Sequence, residues 1–345
     1  MTLSVDYPTF TGTITIAGAI YQLYDDDNTQ VSINQQMFTK GVLVMKILIL
    51  GRGVIGSQYG WAFQNAGNTV DFFVRKSSRH TYADYIELHT YDGRTKKNID
   101  TKWNINLKYE ISPDEKYDLI LISVNPEQVT NAVESVKDFA GDATILLMGN
   151  HGGNPVDNID ILPKDQFVIS FPSAGGGITD NVLNGILYGS VQIGASSDTL
   201  SSREQMIKEL FESAGFKVSV HKDINAFLWN HYVLNAAMET EVLKRGSFEA
   251  VITSKDGLAS MMRNVKDMIP YLKAKGITPD LPVRTMSILP ADIIASLMIR
   301  TMYKPGTPAY NAVAFNKYAV GYSVRQICED AHKLGVSLPR IESAL

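Results

Sequence analysis

One stretch constrains this chain more than any other: MKILILGRGVIGSQYGWAFQNAG, residues 45–67. Gly51, Gly53 and Gly56 stand in G-x-G-x-x-G spacing, behind the apolar run KILIL (46–50) and ahead of a helical pattern over 54–66. The glycines alone are a weak signal. A strand before them and a helix after them is the context a dinucleotide-binding turn requires. Gly51 permits the tight turn, Gly53 lets the backbone approach a pyrophosphate, and Gly56 allows close helix–strand contact. The pyrophosphate would rest at the positive end of the helix dipole. Gly51, Arg52, Gly53, Val54, Ile55 and Gly56 are therefore candidate cofactor-binding residues.

Further short apolar runs follow at 69–74, 118–124, 143–148 and 167–171, with helical patterns near 54–66 and 126–139. That alternation predicts right-handed crossovers building a parallel sheet. The segment 80–117 is polar and irregular and reads as a hairpin-like insertion. GASSDTLSS (194–202) reads as a linker. After it come a helix over 203–214, a strand over 216–220 and then mostly helix, broken at KGITPDLP and YKPGTPAY, where Gly and Pro cannot continue one. The expected fold class is α/β: a Rossmann-type parallel-sheet domain over 45–197, then a mainly helical substrate and dimerisation domain over 198–345. Residues 1–44 differ from the rest. They are expected to be a loosely ordered tail or an over-long start ahead of Met45, rather than a hairpin added to a sheet edge.

The end of the second strand selects the dinucleotide. An NAD site usually places Asp or Glu there, about 20 residues after the glycines. This chain reads FFVRKSSRH, with Arg75 at that place and Lys76 behind it. Ser77, Ser78 and Arg79 follow, and guanidinium and hydroxyl groups suit a 2′-phosphate, which a carboxylate would repel. NADPH is the expected cofactor.

Ligands of open α/β sheets gather beyond the carboxyl ends of the strands. Three unusual loops are expected there. SVNPEQV carries Asn125, LMGNHGGN carries Asn150 and His151, and FPSAGGG carries Ser173 with Gly175, Gly176 and Gly177. Asn125 before Pro126 also suits a plain helix N-cap, and the glycine loops also suit turns. Their convergence on one edge favours a shared site, with Asn125 and Asn150 toward the cofactor and Asn150, His151 and Ser173 toward the substrate.

A net charge of −4 gives no reason to expect nucleic acid or an anionic membrane as a partner. No apolar run reaches the roughly 18 residues of a membrane span, and no signal peptide is evident. The single cysteine, Cys328, excludes an internal disulfide framework and fits a reducing cytoplasm. No metal site is expected. A homodimer is compatible with the sequence.

ILGRGVIGS, Arg75, GNHGGN, DINAFLWNHYVLNAA and the ending AHKLGVSLPRIESAL together resemble the ketopantoate reductase family over residues 45–345, in a divergent form. The resemblance implies a Rossmann domain, a helical C-terminal domain and NADPH between them. It also implies reduction of a 2-oxo acid, 2-dehydropantoate, for pantothenate biosynthesis. Three positions depart from the family. Its catalytic lysine, two residues after the tryptophan, is His231 here, following Trp229. A second lysine is replaced by Asn125. The substrate-binding glutamate would fall near Ala319, and nothing acidic lies between Asp292 and Glu329. The substrate is therefore open to alteration.

His231 and Asn235 are spaced one helical turn apart. Hydride transfer to a ketone leaves negative charge on oxygen, and imidazolium, with an ordinary pKa of about 6.5, can supply the proton. His231 and Asn235 are the candidate catalytic residues, Asn235 also orienting the substrate. A core histidine hydrogen-bonded to its neighbour is the plain alternative, and His151 is a competing acid. Two other functions remain open: a non-catalytic NADP(H)-binding sensor or partner-binding protein, and a related 3-hydroxy-acid or polyol-phosphate dehydrogenase.

Overall fold

The computed structural model describes residues 44–345 apart from positions 113 and 158, together with the backbone of one N-terminal hairpin. That hairpin pairs β1 (Thr13–Ile16) with β2 (Ala19–Gln22) antiparallel and is a sheet of its own. It belongs to a unit, residues 1–44, separate from the one formed by 45–345. The expectations for the rest of the extension lie outside the described residues.

The larger unit opens with β3 (Lys46–Leu50), α1 (Val54–Asn65) and β4 (Thr69–Phe73). The segment read as an insertion then gives β5 (Tyr85–Asp92), β6 (Lys97–Asn104) and β7 (Asn106–Lys108). Next come β8 (Leu119–Ile122), α2 (Val129–Ala140), β9 (Thr144–Met148) and β10 (Phe167–Phe171). After these lie β11 (Ala174–Thr179), β12 (Val182–Leu187), β13 (Ser190–Gly194), α3 (Ser202–Ser213) and β14 (Lys217–His221).

Eight strands form one sheet in the order β14-β13-β10-β9-β8-β3-β4-β7. Every pairing is parallel except β10 with β13. From β7 to β10 this is the doubly wound 3-2-1-4-5-6 order, with its switch point between β3 and β8. The central strands are buried on both faces, as Ile47, Leu48, Ile49, Ile120, Leu121 and Ile145 show. That explains their continuous apolar runs.

A second sheet, β11-β12-β5-β6, covers the outer side of α1. A Cβ at Gly60 of α1 would meet Ile49 Cδ1 at 2.7 Å and Phe72 at 2.9 Å on one side and Trp103 of β6 at 3.4 Å on the other. The helix is thus clamped between two sheets where only hydrogen fits. Gly177 of β11 is equally constrained: its Cβ would lie 1.9 Å from the carbonyl oxygen of Phe315. The FPSAGGG glycines are therefore a strand pressed against a helical backbone, which corrects their reading as a ligand loop.

The sheet does not end at the expected linker. Ser201 caps α3 through a capping box with Glu204, and β14 pairs in parallel with β13. The sheet thus runs on to His221, past the expected division at 197/198. Beyond it lie α4 (Ile224–Arg245), α5 (Phe248–Ile252), α6 (Lys255–Asp267), α7 (Ile269–Ala274), α8 (Leu281–Ile288), α9 (Ala291–Thr301), α10 (Pro308–Ala314), α11 (Tyr322–Lys333) and α12 (Pro339–Glu342). Among the described residues no single helix is long and apolar enough to cross a membrane.

Candidate functional site

The three glycines of the turn differ in their surroundings. Gly51 has φ +79° and donates its N–H to Phe73 O at 2.8 Å, which ties the turn to the end of β4. Gly53 is the N-cap of α1, and a Cβ there would meet nothing within 4 Å. Gly56 is closed, since its Cβ would lie 2.8 Å from Ile49 Cγ2. Open space sits in front of Gly53, and helix and strand touch behind Gly56. The first turn of α1 carries no acidic residue, and the free N–H groups at Val54 and Ile55 begin the helix.

Arg52 behaves differently from its expected part in cofactor binding. Its side chain is buried, donating to Ala83 O at 3.0 Å and Asn181 Oδ1 at 2.9 Å, and its guanidinium lies 4.8 Å from the ring of Tyr82. It fastens the turn to the second sheet, and only its main chain faces the open side.

Arg75, two residues past the end of β4, is exposed and makes no ion pair among the described residues. Lys76 is paired with Glu110, from the loop after β7. The carboxylate on β4 itself, Asp71, is buried and bound by Tyr117 Oη at 2.8 Å and Asn106 Nδ2 at 2.6 Å. Strand β4 therefore presents a cation, not an acid, at its carboxyl end.

Asn125 occupies the N-cap position before Pro126, but its side chain makes no capping hydrogen bond. Asn150, after β9, has its Oδ1 buried without a partner. A buried amide oxygen left unpaired carries a desolvation cost of about 1–3 kcal/mol, which a ligand donor or a water would relieve. An open cradle at Gly53, an unpaired Arg75 and an orphaned Asn150 oxygen, spread along one sheet edge, suit a phosphorylated dinucleotide.

The loop after β9 is shaped by α4. A Cβ on Gly152 would meet Tyr232 at 2.9 Å, and one on Gly153 would meet Trp229 Nε1 at 2.9 Å. The glycines of GNHGGN are thus an interdomain contact that lets Trp229 press the loop carrying Asn150. His151 is buried, with no hydrogen-bond partner among the described residues. Burial holds its pKa down to about 4.

Helix α4 starts at Asp223, which accepts from Ala226 N at 2.8 Å, and ends at Gly246 in the left-handed region. Asn230 is fully employed: it donates to Ala226 O and Thr278 O and accepts from Asp280 N. His231 is not. Its ring lies 4.2 Å from that of Phe171 and 6.4 Å from that of Phe227. No hydrogen bond joins it to Asn235 or to any other described residue. The two side chains are half-buried, so they are neither sealed in the core nor satisfied by each other. Phe171 ends β10, which places His231 at the carboxyl edge of the sheet. Burial among aromatic rings lowers its pKa to about 4. The imidazolium expected from sequence is therefore corrected to a neutral imidazole at pH 7.

Ser173 lies two residues beyond Phe171, its N–H donating to Tyr59 Oη at 3.1 Å. An acid does lie on the next turns of α4. Glu239 is buried and accepts from Gly321 N at 2.9 Å, Ser323 Oγ at 2.6 Å and Tyr318 Oη at 3.3 Å. Burial raises its pKa. Sequence reading missed it, although i+4 spacing from Asn235 was a signal for it. Among the described residues no group of side chains could hold a metal ion.

Residues 47–196 match the family model described as ketopantoate reductase PanE/ApbA. The 2-dehydropantoate 2-reductase of Pyrococcus abyssi is 24% identical over 307 residues, covering 86% of this chain and 94% of that protein. That of Pyrococcus horikoshii is 29% identical over 202 residues, covering 56% and 62%. Among solved structures, 2-dehydropantoate 2-reductase from Geobacter metallireducens superimposes with TM-score 0.64 at 14% identity, covering 87% of this chain and 97% of that one. A D-mandelate dehydrogenase solved with NADH and anilino(oxo)acetate gives 0.63 at 16%, covering 87% and 96%. At these identities the structural likeness is one of fold.

Proposed function

Because the chain belongs to the ketopantoate reductase family as a divergent member, we propose that it is an NADPH-dependent reductase of a 2-oxo acid. Family members are NADP-dependent oxidoreductases acting on CH–OH groups, and that general activity carries over to this chain. In this reading the main chain at Gly51–Ile55 holds the pyrophosphate, Arg75 meets the 2′-phosphate, and Asn125 and Asn150 face the nicotinamide half. NADPH, when bound, supplies hydride to the carbonyl carbon. The protein's own task is the oxygen, on which negative charge gathers.

His231 serves that oxygen as a neutral donor. A neutral imidazole can donate a hydrogen bond from its N–H to the developing alkoxide without first being charged, as neutral histidines elsewhere do, with the proton that completes the hydroxyl drawn from water. Asn235, one turn on, orients the substrate, and Asn150 supplies an acceptor that the fold leaves unpaired. The observation carrying this reading is that His231, without a hydrogen-bond partner among the described residues, packs on the last residue of β10, while Asn150, with an unpartnered Oδ1, follows the neighbouring strand β9.

Phe171 and Phe227 flank His231 where a lysine stands in the family. This favours a second substrate choice, a 2-oxo acid with a bulky or aromatic side chain over 2-dehydropantoate and pantothenate biosynthesis. The fold shared with D-mandelate dehydrogenase is in keeping with it. The test is loss of NADPH absorbance with ketopantoate, phenylglyoxylate and smaller analogues. Turnover of any one supports a reductase. Tight NADPH binding without turnover across the panel would favour a sensor.

A cytoplasmic homodimer completes the proposal. Leu281, Ile288, Ile293 and Leu297 on α8 and α9 are exposed, and a ketopantoate reductase from Staphylococcus aureus is described as dimeric. Sedimentation of the parent protein tests it, a monomer being the contrary result.

A further inference from the structure

Lys76, Arg79 and Glu110 form a charged cluster beyond the ends of β4 and β7. The Glu110 carboxylate is ion-paired with Lys76. Its pKa is held below the usual carboxylate range by Lys76 first, with a smaller contribution from the charge of Arg79. The Arg79 guanidinium rests 5.6 Å from the centre of the Tyr109 ring. Lys76 and Glu110 are 71% and 72% exposed, so ligands reach both. They stand on the wall of an open cleft of about 720 Å³ lined also by Phe73, Tyr109, Ile111, Ser112 and Glu115, the last of these ion-paired with Lys46 and Lys108. Phe73 is the last residue of β4, and the adenosine half of a dinucleotide lies beside that strand end in such sheets.

A carboxylate paired with Lys76 is a docked anion supplied by the chain itself. A 2′-phosphate carries more charge and three acceptor oxygens, so it competes for the same ammonium. A free ribose hydroxyl does not compete; it donates to a carboxylate, the usual arrangement in NAD sites. Sequence reading looked for that acid at the end of the second strand and found Arg75. The fold delivers one from the loop after β7 instead, beside Lys76.

We propose that Glu110 is the residue that sets nucleotide choice in this chain, accepting from the ribose hydroxyls of NADH when in place and releasing Lys76 to admit the 2′-phosphate of NADPH. The chain then binds both nucleotides, with NADPH working against an internal competitor. This rests on the dinucleotide-site reading above but not on the identity of the reduced substrate.

The experiment is calorimetric titration of the full chain with 2′,5′-ADP and 5′-AMP, the adenosine halves with and without the extra phosphate. Parent, Glu110→Ala and Lys76→Ala proteins are compared. An exposed pair is worth little, so Glu110→Ala should tighten 2′,5′-ADP by about three- to fivefold and weaken 5′-AMP by a similar factor. Lys76→Ala should weaken 2′,5′-ADP by about tenfold and spare 5′-AMP. An unchanged ratio of the two ligands in Glu110→Ala overturns the inference. A parent that binds neither ligand overturns it together with the dinucleotide site. Binding of 2′,5′-ADP without NADPH oxidation by any carbonyl compound counts against the reductase reading alone, and the ratio still decides the role of Glu110.

Discussion

The imidazole of His231 lies 4.2 Å from the ring of Phe171, bringing the middle of α4 against the last residue of β10. This contact puts the one polar ring of an apolar helix face at the carboxyl edge of the sheet, where an α/β sheet holds its ligands. It also packs the ring against an aromatic neighbour, and burial holds its pKa down to about 4.

Stability should fall in mild acid. The folded pKa of His231 and of His151 is depressed to about 4 from 6.5, in both by burial. Between those values the unfolded chain binds protons that the folded chain refuses. The stabilisation is therefore full above about pH 6.5 and lost as pH falls toward 4, by roughly 3 kcal/mol for the more deeply buried His151. Urea denaturation across that range checks it. His151→Asn should flatten the dependence, and a parent equally stable at both ends would count against the burial.

Gly152 and Gly153 should not tolerate a methyl group. Their Cβ atoms would lie 2.9 Å from Tyr232 and from Trp229 Nε1, and relieving such overlap typically costs about 1–3 kcal/mol. Gly152→Ala should lower the melting temperature and, by shifting the Asn150 loop, reduce turnover more than NADPH affinity. A variant that melts with the parent would show the contact to be loose.

Trp229→Ala should be more severe. Trp229 is buried between Tyr232 and Tyr271, its ring centroid 5.7 and 6.0 Å from theirs, with Lys275 Nζ 4.1 Å from its own. Truncating such a side chain costs about 3–5 kcal/mol. Thermal and chemical denaturation measure this loss, which should exceed that of Phe227→Ala.

Asn150→Ala removes the unpaired oxygen. The apo protein should gain or keep stability, because a buried acceptor without a partner is deleted, while turnover falls. A loss of stability with unchanged turnover would mean that the amide serves the fold and not a ligand.

Much of this arrangement was legible in the sequence because it is written in local rules. The glycine turn, the apolar central strands and Arg75 at the end of β4 each follow from residue type and spacing. Non-local contacts were not legible. The FPSAGGG glycines look like a loop until α10 is seen lying on them, and Arg52 looks like a cofactor residue until Asn181 appears beside it. The insertion at 80–117 holds three strands whose pairing was not legible, because β6 is polar and mostly exposed and the distant partners are β12 for β5 and β4 for β7. The site charges failed for the same reason: the neutral state of His231 depends on Phe171, sixty residues away, and Glu110 reaches Lys76 only through the pairing of β7 with β4.

The most direct measurement is turnover and NADPH affinity of His231→Ala against the parent, with whichever 2-oxo acid the parent reduces. Loss of a positioned proton donor should depress kcat by about 10²–10⁴-fold, with the NADPH dissociation constant essentially unmoved. Turnover equal to that of the parent would contradict the account, and His231 would then be a packing residue of α4.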